Sequence, residues 1–351
     1  MTSRVEQQNQ ERANQRRDFR QSLARFARRN ALQLGIIGVF LLLWLLFIFG
    51  APRVFLSPEI YAAFMSSIPF FGIMALPLTL VIIAREIDLS FGSIMAVGMT
   101  VFVLVFDGLG GAQDGDRLLG TAFVALAAAL LAGFLVGLLN GIIVVRIGVP
   151  SLITTIGTQF LLRGVVLVIT SGQGFSLVDT RGTVFRELLV GRIGGYLPAQ
   201  MVWMLLIGVA VWVLLNRHRF GAHVYLIGDN ENSARLMGVN VDRTRMLVFG
   251  LIGLAAAFAG ILASFEVNYF WPATLGEGHL MRTLAAVFLG GTSVFGGTGT
   301  VVGTFLACFI VGTIEAGTVA IGLTGYYTQL IFGLIIVVSV AMHTVLRRRM
   351  G

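Results

Sequence analysis

An acidic residue close to two serines interrupts two long apolar stretches, in the segment EIDLSFGSIMAVG. Ionisable side chains are costly in an apolar medium, so those found there are candidates for function. Asp88, Ser90 and Ser93 could satisfy backbone groups freed by a helix break inside the protein, or could line a water-filled path. The other interpretation is a solvated loop carboxylate paired with Arg85. Both interpretations are open at this point.

A second polar set lies along the helix predicted near residues 151 to 170. Thr155, Gln159 and Arg163 repeat at i, i+4 and i+8, so they share one side of that helix. This side could form hydrogen bonds to neighbouring helices or border a path, and the spacing favours neither. The full set of candidates for lining a path is Asp88, Ser90, Ser93, Asn140, Thr155, Thr158, Gln159, Arg163 and Glu315.

Several classes of chemistry are excluded by residue types that the sequence lacks. All 25 residues counted as lysine or arginine are arginines. A P-loop needs a lysine to reach the terminal phosphates, and a Schiff-base enzyme needs a lysine amine. The glycine-rich LGGTSVFGGTGT also lacks a G-x-G-x-x-G frame, so it predicts a tight turn between close-packed half-helices. If ATP drives this protein, another subunit hydrolyses it.

Metal and nucleophilic sites are not predicted either. The single cysteine, Cys308, lies in an apolar run and is expected to serve packing. Glu277 and His279 lack a third ligand at metal spacing. The four histidines are too scattered to form a catalytic constellation with a nucleophile; they are His218, His223, His279 and His343.

The overall composition indicates what kind of protein must hold these residues in position. Of the 351 residues, 56% are hydrophobic and only 12% are charged, and the mean hydropathy is +0.88. A soluble domain has about 25% charged residues. The 44 glycines suit helices that pack backbone to backbone in lipid. The sequence therefore predicts a polytopic membrane protein.

Runs of roughly 20 apolar residues, bounded by polar or Gly/Pro residues, predict the membrane spans. We expect ten, of which the two near 280 and 300 are short and rich in glycine. They lie near 32 to 50, 60 to 83, 89 to 106, 118 to 144, 151 to 170, 200 to 215, 246 to 264, 280 to 297, 300 to 315 and 326 to 345.

The arginines predict the orientation of these spans, because short cytoplasmic loops are enriched in positive charge. Eight arginines precede the first span, which places the N-terminus in the cytoplasm. The net charge of +8 is thus explained by membrane topology and not by nucleic acid. Further arginines expected on the cytoplasmic side are Arg85, Arg146, Arg217, Arg219, Arg235, Arg243, Arg245, Arg347, Arg348 and Arg349.

The longest loop expected in the cytoplasm, residues 216 to 245, contains a short charged helix in VYLIGDNENSARLMGVNVDRTR. Asp229 or Asn230 can cap it, Glu231 and Arg235 form an i,i+4 pair, and Gly238 can end it in a left-handed conformation. So short a helix is marginal alone in water. Two interpretations are open: an amphipathic connector at the lipid interface, or a docking helix for a cytoplasmic subunit.

Four segments, in the right order between about residues 60 and 345, resemble the permeases of ribose-type ABC transporters. GDNENSARLMGV resembles their G-x-N-x-x-A-A/S-R-x-x-G-I/V pattern, with Ser233 at a position where alanine is usual. EIDLSFGS resembles G-I-D-L-S-V-G-S, with Glu86 and Phe91 as departures. NGIIVVRIGVPSLITTIGTQFLLRG and LAAVFLGGTSVFGGTGT resemble two further segments of that family.

The resemblance implies two permease subunits, identical or related, around a central path. It also implies a periplasmic substrate-binding protein and a cytoplasmic ABC ATPase. No cofactor is expected in this chain, since ATP and magnesium would bind to the ATPase. The residues expected to couple the chain to that ATPase are Gly228, Asn230, Glu231, Ala234, Arg235, Gly238 and Val239.

The expected fold is an all-α polytopic membrane protein of about ten transmembrane helices, some short or broken, with both termini in the cytoplasm. The expected parts are a basic tail (1–30), a permease domain (31–346, with its coupling loop at 216–245) and a basic C-terminus (347–351). The expected function is not enzymatic: alternating-access import of a simple sugar or small polyol, driven by the ATPase, in the lipid of the bacterial inner membrane. The alternative is an ion- or proton-coupled transporter, which would need acidic residues near mid-membrane.

Overall fold

The computed structural model describes residues 31–110 and 118–350. Over that part of the chain the protein is mostly helical, as the composition predicts. The prediction for the basic tail at 1–30 lies outside the described residues.

Fourteen α-helices are present in the described ranges, and we number them in chain order. The first seven are α1 (Ala31–Gly50), α2 (Pro52–Phe55), α3 (Pro58–Ile83), α4 (Phe91–Gly108), α5 (Leu118–Ile142), α6 (Ser151–Thr170) and α7 (Val184–Val190). The others are α8 (Ala199–Asn216), α9 (Arg219–Asp229), α10 (Glu231–Leu236), α11 (Val241–Val267), α12 (His279–Leu289), α13 (Val301–Ala320) and α14 (Tyr326–Met350).

Four two-residue strands lie together at one end of the molecule. β1 (Phe175–Ser176) pairs antiparallel with β4 (Tyr269–Phe270), and β2 (Arg192–Ile193) pairs with β3 (Leu197–Pro198). The first pair ties the loop after α6 to the loop after α11. We call this end the β-strand side, and we call the opposite end, which carries α9 and α10, the α10 side.

The helix ends follow local sequence signals. Pro58 occupies the first turn of α3, where its missing N–H costs nothing. After α5 the chain continues as a π-helical turn, Ile143–Ile147, and then stops at Gly148 with φ of 85°. Pro150 follows and cannot extend a helix through its own position, and α6 begins at Ser151.

Seven helices in the described part of the chain are long and apolar enough to cross a membrane: α3, α4, α5 with its π-helical turn, α6, α8, α11 and α13. Shorter apolar helices occur at Leu34–Gly50, His279–Leu289 and Tyr326–Ala341. Each of the ten predicted spans therefore corresponds to an apolar helix, and the protein is polytopic. The boundaries of one span, 280 to 297, are wrong, because α12 ends at Leu289 and the glycines after it form a non-helical turn.

The loop expected at 216–245 is also more helical than its sequence suggests. It contains α9, α10 and the first residues of α11. Apolar positions of α9, which include Val224 and Ile227, are buried in the protein.

The core is built around α11, which packs against α3, α4 and α5. Close backbone contact requires small residues here: a Cβ at Gly137 of α5 would collide with the carbonyl oxygen of Phe249. Most of α3 is buried, whereas α6 exposes large apolar side chains such as Ile153 and Val168 along most of its length. Cys308 is buried in α13, consistent with a packing role.

Candidate functional site

The connection from α3 to α4, residues 84–90, is a non-helical and largely buried segment with Arg85 exposed, which we call the first break. Asp88 is fully buried in it. Its Oδ1 accepts hydrogen bonds from the backbone N–H of Ser90 (2.7 Å) and from the Ser90 hydroxyl (2.6 Å). Asn140 of α5 donates to that hydroxyl at 2.8 Å. The interpretation of Asp88 as a solvated carboxylate paired with Arg85 is therefore wrong.

The first break lies against the beginning of α6. The Ile87 N–H donates to the hydroxyl of Ser151 at 3.1 Å, and the Thr155 hydroxyl contacts the Ile87 carbonyl at 3.3 Å. Further along, the Ser93 hydroxyl donates to the carbonyl of Gln159 at 2.8 Å. Gln159 lies eight positions after Ser151 in α6, so the first turn of α4 lies about 12 Å along α6. The start of α4 is therefore offset along the axis of α6 from the start of α6.

A second discontinuity, residues 271–278, joins β4 to α12, and we call it the second break. The Arg163 guanidinium donates to the carbonyls of Pro272 and Leu275, both at 2.8 Å. Gly276, with φ of 90°, packs on Gly92 in the first turn of α4. A Cβ at Gly276 would collide with the Gly92 carbonyl oxygen, so the second break packs backbone to backbone on the start of α4, directly after the first break.

A cavity of about 360 Å³ lies where the two breaks meet, and we call it the central cavity. Its polar side chains come from α4, α6, the second break and α14, and the first break contributes the apolar Leu89. The side-chain amides of Gln159 and Gln329 have no hydrogen-bond partner in the described part of the chain, so they are free to meet a solute. The lining residues that matter here are Ser93, Gln159, Phe160, Arg163, Glu277 and Gln329.

The structure thus divides the residues predicted to line a path. Ser93, Gln159 and Arg163 line the central cavity, with Arg163 also bonding to a neighbouring segment. Glu315 lies elsewhere, paired with Arg282 at 2.7 Å. The remaining five are buried or bonded within the protein and do not line the central cavity: Asp88, Ser90, Asn140, Thr155 and Thr158.

Two lining residues escaped the sequence analysis. Glu277 was considered only as a metal ligand, and the described residues contain no cluster of metal-ligating side chains. Gln329 was not considered at all. The available signal was its position as a lone amide in the apolar run TQLIFG of the last predicted span.

The short helix α10 matches its sequence prediction closely. The Asn230 side chain caps it by accepting from the Ser233 N–H at 3.0 Å, and Gly238 follows it with φ of 80°. Arg235 is exposed and bonds to Glu231 at 3.0 Å and to Asp242 at 2.6 Å. These two carboxylates raise the pKa of Arg235. Leu236, at the end of the helix, has 90% of its surface exposed.

The junction between α9 and α10 is anchored to the end of α3 and to the glycine-rich turn after α12. The Arg85 guanidinium donates to the carbonyls of Phe295 (2.8 Å) and Asp229 (2.7 Å). The Gly297 N–H donates to the Ile83 carbonyl at 2.9 Å. Gly228 packs so closely on Ile83 that no side chain fits there. Any force applied to α10 therefore reaches α3 and the turn that follows α12.

Comparison with known proteins identifies the family. Residues 60–340 match the family model described as the permease component of a branched-chain amino acid transport system. The chain belongs to this permease family. It is accordingly a multi-pass membrane protein and a transport subunit, not an enzyme. No solved structure matches the chain.

Curated relatives make the assignment narrower. The ribose import permease protein RbsC of Escherichia coli strain K12 is 35% identical over 270 residues, which cover 77% of this chain and 80% of the relative. The autoinducer 2 import system permease protein LsrD of Klebsiella pneumoniae is 34% identical over 277 residues, or 77% and 78%. LsrC of Yersinia pestis, from the same kind of system, is 31% identical over 310 residues, or 88% and 82%. The resemblance to ribose-type permeases is thus confirmed.

Proposed function

We propose that this chain is the permease subunit of an ATP-driven importer that carries a simple sugar or related small polyol across the bacterial inner membrane. The observation that carries the proposal is α10, a capped and exposed helix whose base is anchored to α3 and to the turn after α12. A helix of six residues has little stability alone, so its exposed, anchored position suits a docking point. The relatives that import ribose and autoinducer 2 support the choice of solute class.

The partners follow from this role. A cytoplasmic ABC ATPase would bind ATP and magnesium and would dock on α10, because this chain has no lysine for a P-loop. A periplasmic substrate-binding protein would deliver the solute on the β-strand side. A second permease subunit, identical or related, would cover the exposed apolar side of α6, the helix that carries Gln159, Phe160 and Arg163 of the central cavity.

The central cavity is the proposed binding site of the solute during transport. The side-chain amides of Gln159 and Gln329, which have no partner among the described residues, can exchange hydrogen bonds with hydroxyl groups, and the exposed ring of Phe160 offers an apolar surface. Alternating access would expose the cavity to each side of the membrane in turn. The permease itself carries out no covalent chemistry.

The first experiment is co-purification of the permease with its candidate ATPase, followed by measurement of ATP hydrolysis in lipid. We expect stable association for the wild type and about tenfold weaker association for Arg235→Glu, because the reversed charge faces Glu231 and Asp242. Arg192→Glu is the matched control, since Arg192 is an exposed ion-paired arginine on the β-strand side. Absence of any associated ATPase, together with uptake driven by a proton gradient alone, would contradict the proposal.

A further inference from the structure

An unbroken chain of charged side chains leads from α10 into the protein. Arg235 contacts Glu231 at 3.0 Å, and the other carboxylate oxygen of Glu231 contacts Arg245 of α11 at 2.7 Å. Arg245 in turn contacts Glu86 of the first break at 2.9 Å. We call these four residues the relay. They join the exposed docking helix to the buried segment that begins α4.

Burial increases along the relay, and with it the strength of the electrostatic link. The side chain of Arg235 is 48% exposed, that of Arg245 is 18% exposed and that of Glu86 is 7% exposed. Salt screens exposed charges strongly and buried ones much less. The contact between the Arg245 Nε and Glu86 lies outside hydrogen-bond geometry, so it acts as an ion pair that tolerates small changes of angle.

The buried end of the relay is firmly connected to the central cavity. Burial raises the pKa of Glu86, and the positive charge of Arg245 opposes this shift. The next residue, Ile87, has its N–H bonded to Ser151 and its carbonyl bonded to Thr155, both on α6. Six residues beyond Ile87 is Ser93, which lines the cavity. Displacing Glu86 must therefore move either the start of α4 or the start of α6, and residues of both helices line the cavity.

Arg85 provides a second connection to the base of α10, so the ion pair of Glu86 with Arg245 can be removed without detaching α10. Arg85 holds the junction of α9 and α10 through backbone carbonyls, independently of Glu86. Removal of the Glu86 charge should thus leave the docking surface assembled. Glu86 is also a departure of this sequence from the G-I-D-L-S pattern it resembles, and glycine at this position could not form the ion pair.

We propose that Glu86 and Arg245 are positioning residues that transmit movement of α10 to the central cavity. The proposal rests on the proposed function, because it assumes an ATPase that moves α10. It adds a specific route, through one buried ion pair, by which that movement reaches the segment where α4 begins.

The test uses the assembled complex in lipid and follows the cavity directly, without knowledge of the solute. Cys308→Ala removes the single cysteine, and Gln329→Cys places a thiol in the cavity lining. The rate of modification by a water-soluble maleimide is measured with and without ATP and magnesium. We expect ATP to change this rate by about fivefold when the relay is intact.

The relay is then broken by Glu86→Gln, which keeps the shape and removes the charge, and separately by Arg245→Gln. We expect the ATP-dependent change in rate to fall below about twofold while ATP hydrolysis and association with the ATPase persist. Glu86→Asp keeps the charge and should restore most of the change. Glu266→Gln is the matched control, since Glu266 is a partly buried carboxylate paired with Arg192 on the β-strand side.

The outcomes separate the two proposals. An undiminished ATP-dependent change in Glu86→Gln and Arg245→Gln would overturn the relay while leaving the importer intact. Loss of the change in Glu266→Gln as well would show a general effect of charge removal and would also overturn it. If the intact relay shows no ATP-dependent change at all, the proposed function fails first and the relay fails with it.

Discussion

The two breaks that meet at the central cavity are held by different interactions. The first break, residues 84–90, is fixed by side chains: Asp88, Ser90 and Asn140 within the protein, and the ion pair of Glu86 with Arg245. The second break, residues 271–278, is fixed by close backbone packing at Gly276 and by one arginine from α6. The first therefore carries a charged connection to α10, and the second carries none among the described residues.

Because the two breaks are held differently, we expect them to have different roles in opening the cavity. A segment held by specific, directional bonds moves as a unit with the elements that hold it. A segment held by backbone contact and two hydrogen bonds from a single guanidinium can separate when one partner shifts. We therefore expect the first break to follow α10 and the second to act as the part that opens. The following predictions test this comparison.

The largest effect is expected from Asp88→Ala in the first break. It removes the acceptor of the Ser90 N–H and of the Ser90 hydroxyl, the hydroxyl to which Asn140 donates, at a cost of about 3 kcal/mol. We expect a clearly lower thermal unfolding temperature in detergent and little transport. Asp88→Asn keeps an accepting oxygen and should be much milder. An Asp88→Ala protein as stable and active as the parent would remove the distinction between the breaks.

A somewhat smaller effect is expected from Gly276→Ala in the second break. The added methyl group meets the Gly92 carbonyl oxygen and also imposes strain at a φ of 90°, together about 2 kcal/mol. Gly278→Ala is the matched control: its φ is 78° but the space around it is open, so only the strain applies. Thermal unfolding should rank the parent first, Gly278→Ala second and Gly276→Ala last. Equal destabilisation by the two variants would argue against the close contact.

Arg163→Leu sharpens the comparison further, because it frees the carbonyls of Pro272 and Leu275 while leaving the first break untouched. We expect a loss of about 1.5 kcal/mol in stability. In the background of Cys308→Ala and Gln329→Cys, we also expect the thiol at position 329 to react faster with the maleimide in the absence of ATP. The stability and the maleimide reactivity of Arg163→Lys should lie between those of Arg163→Leu and the parent, since an ammonium group cannot reproduce both hydrogen bonds of the guanidinium group. A cavity equally closed in Arg163→Leu would show that the second break does not open.

The smallest effect on stability, and a selective effect on transport, is expected from Gln159→Ala and Gln329→Ala. Neither amide bonds to the described residues, so removal should cost less than about 0.5 kcal/mol. Each lost hydrogen bond to a solute should reduce uptake by about fivefold through weaker solute binding. Gln173→Ala, outside the cavity in the loop after α6, serves as the control. Unchanged uptake in the double variant would exclude the cavity as the solute site.

Much of the fold and part of the site could be predicted from local sequence. Apolar length located the helices within a few residues for most spans, because a helix in lipid must be long and apolar along the chain itself. The cap at Asn230, the pair of Glu231 with Arg235 and the end at Gly238 also act within a single turn or two. Such local interactions can be predicted from neighbouring residues alone.

The errors lie where contacts join distant parts of the chain. Arg85 looked like a partner for Asp88, three residues away, yet it bonds to the Phe295 carbonyl, 210 residues away. The partner of Glu315 could not be predicted either: it is Arg282 of α12, 33 residues away. The predicted span at 280 to 297 was too long, because apolar and glycine residues continue beyond Leu289 while the chain turns back towards Ile83.

The sequence by itself determined that this protein is a multi-span permease without a nucleotide-binding lysine, and that a capped helix stands at residues 231–236. Only the tertiary structure decided that the second break packs on the start of α4 at Gly276 and Gly92, that Gln329 joins Gln159 at one cavity, and that Glu86 pairs with Arg245. The physical reason is one of range. The length of an apolar run and the capping of a helix depend on neighbouring residues. The burial of a charge depends instead on which distant helix supplies its partner.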